Sequence, residues 1–108
     1  MIEIPVTQED IDAGIPNCME PDACPIALAI RRHFGDSVIV AVRERDILIG
    51  RKAKYVFDET LLRFDWAICD AFDAMDLCDD APPATTARPG VIWLDEKAMT
   101  ASYEERAS

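Results

Sequence analysis

Residues 59 to 78 carry the strongest helical periodicity in this chain, and this segment constrains the fold more than any other. At 100° per residue, its apolar side chains fall within one arc of roughly 140°: Leu61, Phe64, Ala67, Ile68, Ala71, Phe72, Met75 and Cys78. Its aspartates gather on the far side, over roughly 120°: Asp65, Asp73, Asp76, Asp79 and Asp80. Asp58 is a suitable N-cap residue. The pattern predicts a long amphipathic helix that packs by one face on a sheet.

Two shorter helices are predicted upstream of this segment. The run from residue 26 to residue 30 is apolar, with Pro25 suited to a first helical turn and Gly35 suited to a helix end. Because this run has no polar face, we expect a short helix buried on most sides. Thr7, with Asp10 three residues later, predicts the start of another short helix, and Gly14 is expected as the C′ residue that ends it.

The strand signals are short and separated by turn residues. Alternating or β-branched runs predict strands at 2–6, 37–42, 47–50, 51–57 and 91–94. The predicted fold is α+β: a small antiparallel sheet of four or five strands, packed by one long amphipathic helix and one short buried helix. Residues 1–95 are expected to form a single domain. Residues 96–108 are expected to be a polar tail that holds at most a frayed helical turn.

The charge of the chain is strongly acidic and unevenly placed. The formal net charge is −10, and residues 58–108 hold twelve acidic and four basic side chains. This balance argues against direct binding to nucleic acid or to an anionic membrane, because both need cations. It favours a basic partner or, in the simpler interpretation, solubility. With no basic region before an apolar run at the N-terminus, we expect a cytoplasmic protein.

The acidic helix is the candidate functional surface. Trp66 lies beside the aspartate arc with Leu62 and Leu77, as an interface anchor would, although a loop or the tail covering it would give the same pattern. A row of carboxylates can occupy a groove built for phosphates, but it also serves as an ordinary solvated face. The residues predicted to bind a partner are Asp65, Trp66, Asp73, Asp76, Asp79 and Asp80.

The four cysteines and the basic hairpin predict no catalytic or metal chemistry. Cys18, Cys24, Cys69 and Cys78 lack the short paired spacing of zinc sites and redox motifs, so free thiols are expected. No cofactor is predicted, since phosphate loops, dinucleotide glycines and nucleophile elbows are missing. A small enzyme that uses Cys24 or an acid pair near His33 is a minor alternative. The cations between residues 43 and 54 either form a solvated strand edge, pair with the aspartates or recognise an acidic ligand.

Two motifs carry a resemblance to a known family. The stretch VTQEDIDAG, followed after a spacer by CPIALAIRR, resembles small tailed-bacteriophage and prophage proteins of unassigned activity. A later Phe-Asp pair of that family is matched here by Phe64-Asp65, so the likeness covers residues 4 to 66. The resemblance implies a phage accessory protein that acts by stoichiometric binding, similar to anti-CRISPR inhibitors. The expected partner is a host protein or protein–RNA complex with a basic surface. The alternative is an oligomeric assembly component of phage particles or replication complexes, and a homodimer is also considered.

Overall fold

The fold is taken from a computed structural model that describes residues 1–35, 37–51, 53–75 and 86–106. The helices are α1 (Gln8–Gly14), α2 (Pro25–Phe34) and α3 (Glu59–Met75), with a 3₁₀ turn at Ile15–Asn17. The strands are β1 (Ile2–Val6), β2 (Val40–Val42), β3 (Asp46–Ile49), β4 (Ala53–Phe57), β5 (Gly90–Asp95) and β6 (Thr100–Glu105). The predicted α+β class is confirmed.

The strands form one curled, mixed sheet that resembles half a barrel. Their order is β1-β5-β6-β4-β3-β2, and all neighbours are antiparallel except β4 and β6. The prediction of four or five antiparallel strands was therefore wrong in strand number and in one pairing. The parallel pair arises because the chain leaves β4 through α3 and returns through β5, and a parallel pair requires such a long crossover.

The sixth strand is the segment predicted to be a frayed tail. Asp95 accepts hydrogen bonds from the backbone N–H groups of Lys97 and Ala98 at 3.0 and 3.1 Å, which turns the chain back on itself. The returning strand buries Ala101 and Tyr103 on alternate positions. The polar residues between them concealed this period-two pattern from sequence inspection. The backbone groups of β6 are satisfied by distant parts of the chain, namely β5, β4 and the Thr60 Oγ1, which accepts the Tyr103 N–H at 2.8 Å.

Helix α2 contacts both edge strands of the sheet. It packs against β1 and against β2, which lie at opposite ends of the strand order. This arrangement requires the sheet to curl until its two edges face one helix. Ile26, Ala27, Ala29 and Ile30 are each fully buried there. The predicted burial of this short helix on most sides is confirmed, and so are Pro25 in its first turn and Gly35 at its end.

Helix α1 begins at the predicted cap. Thr7 and Asp10 exchange hydrogen bonds in a capping box, at 3.1 and 2.9 Å. Gly14 does not take the left-handed C′ conformation that the sequence predicted, since its φ is −87° and the chain continues into the 3₁₀ turn. Its lack of a side chain has a different reason: a Cβ atom there would lie 2.3 Å from the Pro25 nitrogen. The glycine permits close packing of α1 on the start of α2.

Helix α3 lies against β6 and β4. Its buried face includes Leu61, Phe64, Ile68 and Ala71, as predicted, and Asp58 accepts a hydrogen bond from the Leu61 N–H at 3.1 Å. The final three residues of the predicted 59–78 helix lie outside the described residues. The strand predicted at 37–42 is shorter than expected, because the chain is still turning at Val38, whose N–H bonds to the Gly35 carbonyl.

Candidate partner-binding surface

The outer face of α3 presents a tryptophan followed by two aspartates. Trp66 is 56% exposed, and Asp70 and Asp73 are exposed as well. Side chains four and seven residues apart project in nearly the same direction on a helix. The three residues therefore form one stripe, which we call the Trp66 stripe. Of the two interpretations of Trp66, the structure supports the exposed one.

The Trp66 stripe is acidic without internal neutralisation. Among the residues that the structure describes, no ion pair involves Asp70 or Asp73. Glu59, in the first turn of the same helix, differs in this respect because it pairs with Arg63. The two aspartates thus leave their negative potential available to a partner.

Asp65 does not belong to this exposed stripe, although the sequence placed it on the acidic face. Its side chain is partly buried and lines a cavity of about 260 Å³ with Cys18, Cys69, Val42 and Arg43 among others. Burial raises the pKa of the Asp65 carboxyl to about 6. The helical wheel missed this because loops from other parts of the chain cover that side of α3. Asp76, Asp79 and Asp80, the other predicted partner-binding aspartates, lie outside the described residues.

The β2–β3 turn lies beside Trp66. Glu44 and Arg45 of this turn line a second cavity, of about 270 Å³, together with Leu62, Asp65 and Trp66. Within the same hairpin, the Arg43 Nε and Nη2 atoms donate to the Asp46 carboxylate at 2.6 and 2.9 Å. These hydrogen bonds hold the pKa of Asp46 below its usual value. Part of the basic hairpin is therefore neutralised by its own aspartate rather than by the acidic helix.

Three thiols lie around the cavity that Asp65 lines. Cys24 is the N-cap residue of α2 and is buried, which raises the pKa of its thiol to about 11. The Sγ atoms of Cys18 and Cys69 lie 3.4 Å apart. Within the described ranges, no group of three side chains is placed to hold a metal ion.

The histidine is remote from these thiols. His33 is exposed near the C-terminal end of α2, whereas Cys24 precedes the first residue of that helix. Nine residues of helix span roughly 13 Å at 1.5 Å per residue. The geometry thus gives no support to a Cys24–His33 nucleophile and base.

Sequence inspection missed two features of this surface. Asp70 was not among the predicted partner-binding residues, although its spacing of four from Trp66 carried the signal. The approach of Cys18 to Cys69 had no sequence signal, because the two residues are 51 positions apart.

No described helix combines the length and the apolar character that crossing a bilayer requires. Neither a family model, nor a curated protein, nor a solved structure matches this chain.

Proposed function

We propose that this chain is a non-enzymatic phage accessory protein that binds a host protein or protein–RNA complex stoichiometrically. In this proposal it inhibits a host defence or nucleic-acid-handling complex in the cytoplasm by occupying a basic surface, as anti-CRISPR proteins do. The observation that supports it best is the Trp66 stripe, an exposed tryptophan in line with two exposed aspartates that form no ion pair within the described part of the chain.

Trp66 has the properties of an interface anchor. Tryptophan is enriched among the residues that dominate binding energy, because it buries a large rigid surface at low cost in conformational entropy. A 56% exposed tryptophan leaves much of that surface in water when the protein is free. Trp66 therefore supplies the apolar contact area of the stripe.

The carboxylates define the kind of partner. Asp70 and Asp73 add negative potential to a chain whose formal net charge is −10. Such a surface attracts a positively charged groove and repels nucleic acid, which makes the chain a competitor for a nucleic-acid site rather than a ligand of nucleic acid. The phage resemblance supports the same setting.

The alternative of an oligomeric assembly component depends on a free sheet edge, and each edge is partly occupied. At β1, Pro5 has no N–H, and its carbonyl accepts a hydrogen bond from the Arg32 Nη2 at 2.9 Å. At β2, the Val42 N–H donates to the Pro21 carbonyl at 2.8 Å. Occupied groups of this kind hinder the addition of another strand. The partly occupied sheet edges therefore favour a chain that binds a partner stoichiometrically over one that assembles into an oligomer.

The proposal is tested by quantitative binding to a purified host complex. The chain is titrated into an RNA-guided DNA-cleaving effector of the host, or into another DNA- or RNA-binding complex that it captures. We expect one chain to bind per site and double-stranded DNA or RNA to compete. Trp66→Ala should weaken binding by about 30-fold or more, as loss of an anchor does.

Charge variants distinguish a specific acidic surface, which competes with nucleic acid for its site, from the general acidity of the chain. Asp70→Asn with Asp73→Asn should weaken binding about tenfold and reduce its salt dependence, because two desolvated charge contacts are lost. Asp12→Asn with Glu20→Gln removes the same charge from exposed sites outside α3 and should leave affinity unchanged. Equal losses in both double variants would contradict a specific acidic surface. Full binding by Trp66→Ala, or inhibition at far below one chain per complex, would contradict the proposed mode of action.

A further inference from the structure

The close thiol pair joins two distant parts of the chain. Cys18 follows the 3₁₀ turn, and Cys69 lies in the middle of α3. Their Sγ atoms are 3.4 Å apart, and both side chains are half-buried at an open cavity of about 260 Å³. A small reagent in solvent therefore has access to both sulfurs.

The geometry places the sulfurs within reach of a covalent bond. A disulfide needs an S–S distance near 2.05 Å, so the two sulfurs must approach by a little over 1 Å. The 3₁₀ turn already packs on α3.

We propose that Cys18 and Cys69 are a reversible disulfide site that a low-molecular-weight disulfide oxidises. This proposal is independent of the partner-binding proposal. One of the two thiols loses its proton, and its thiolate attacks one sulfur of the reagent, which releases one small thiol. The other cysteine then loses its proton and attacks the protein-bound sulfur of this mixed disulfide, which releases the second small thiol. The cysteine pair gives up two electrons and two protons, and the reagent is reduced to two thiols.

The local environment affects the rate of this exchange. Burial raises the pKa of both thiols, that of Cys69 to about 12. Because the thiolate is the attacking species, the reaction with a small disulfide should become faster as the pH rises.

The bridge would fasten the segment after the 3₁₀ turn to α3. That segment is already held on its other side, where the Pro21 carbonyl accepts the Val42 N–H and the Asp22 carbonyl accepts Arg31 Nη1 at 3.1 Å. A bond at Cys18 would fix its remaining end, including the adjacent, largely exposed Met19. The bridged protein is expected to melt at a higher temperature than the reduced protein.

The test is oxidation of the full chain with 2-hydroxyethyl disulfide, a neutral reagent that Asp65 and Glu44 do not repel. We expect the mass to fall by two hydrogens and two of the four cysteines to resist alkylation. A reducing agent should restore all four. The melting temperature of the bridged form should be higher. No loss of thiols, or a lower melting temperature on bridging, would overturn the proposal.

Single cysteine variants identify the partners. Cys18→Ser and Cys69→Ser should each form no internal bridge, and the remaining partner should hold one mixed disulfide. Cys24→Ser and Cys78→Ser serve as matched controls and should bridge to the wild-type extent. An internal bridge in Cys18→Ser or Cys69→Ser, or its loss in Cys24→Ser, would assign the disulfide to another pair. Circular dichroism of each reduced variant establishes that it is folded before oxidation.

Discussion

Asp65 shows how one side chain on a helix acquires properties that its neighbours lack. It lies among Cys18 and Cys24 from the loop before α2, Arg43 and Glu44 from the β2–β3 turn, and Cys69 from its own helix. The apolar burial in this cavity raises the pKa of its carboxyl to about 6 from 3.8. Burial disfavours the ionised form, so the ionised Asp65 carboxylate lowers the free energy of unfolding at neutral pH.

We expect Asp65→Asn to stabilise the protein at neutral pH but not at pH 4. The folded state binds a proton more tightly than the unfolded state, so wild-type stability falls relative to the variant as the pH rises from about 4 to about 6. One pKa unit corresponds to about 1.4 kcal/mol, and partial solvation of the carboxylate reduces the gain at pH 7.5 to about 1 to 2 kcal/mol. Urea unfolding at pH 4 and pH 7.5 measures the difference.

The control for this titration is Asp73→Asn, eight residues later on the same helix. Asp73 is exposed, so its substitution should change the free energy of unfolding by no more than about 0.5 kcal/mol. A pH-independent effect of Asp65→Asn would contradict the assignment of the raised pKa.

At the scale of elements, one carboxylate joins β1, α1 and α2. Asp10 is 6% exposed and accepts hydrogen bonds from the Thr7 N–H at the start of α1 and from Arg32 near the end of α2. The same guanidinium donates to the Pro5 carbonyl in β1. Arg32, near the C-terminal end of α2, thus connects all three elements through its guanidinium group.

Asp10→Ala should lower the free energy of unfolding by about 2 to 3 kcal/mol. The substitution removes half of a capping box and leaves Arg32 without its partner, although Arg32 is about half exposed and regains water. Asp12→Ala, in the same helix at an exposed position, should change stability by no more than about 0.5 kcal/mol. Chemical denaturation of both variants measures the difference. Equal effects would show that the contacts of Asp10 with Thr7 and Arg32 do not stabilise the fold.

At the scale of the whole molecule, β6 connects the two parts of the sheet. It lies between β5 and β4, so the β1–β5 pair meets the β4–β3–β2 meander only through it. Its Tyr103 stacks on Phe64 of α3 at a centroid distance of 3.9 Å and donates its hydroxyl to the Arg88 carbonyl at 2.6 Å. The sheet and the long helix therefore depend on residues close to the C-terminus.

Truncation after Asp95 should abolish cooperative unfolding. Loss of β6 leaves the facing backbone groups of β5 and β4 unpaired and removes the buried Ala101 and Tyr103. A thermal melt followed by circular dichroism provides the measurement. Ala101→Asp, which places a charge in the core, should have the same direction of effect, whereas the exposed Glu104→Gln should melt close to the wild type. A cooperative melt of the truncated chain would show that β6 is dispensable.

The sequence by itself determined the local features of this protein. The Thr7–Asp10 capping box, the start of α2 at Pro25, its end at Gly35 and the cap at Asp58 were all predictable. Each depends on residues within three or four positions or on the backbone preference of one residue. The periodicity of α3 predicted its buried face for the same reason and placed Trp66 beside the aspartates, whereas the structure decided that Trp66 is exposed.

Only the tertiary structure decided the features that depend on distant neighbours. Thr100–Glu105 becomes a strand because β5 and β4 satisfy its backbone on both sides. Asp65 leaves the acidic face because two loops cover it, and Cys18 meets Cys69 across 51 positions of sequence. Helical periodicity places a side chain around its own axis, but burial and covalent reach are set by elements that the fold brings from elsewhere in the chain.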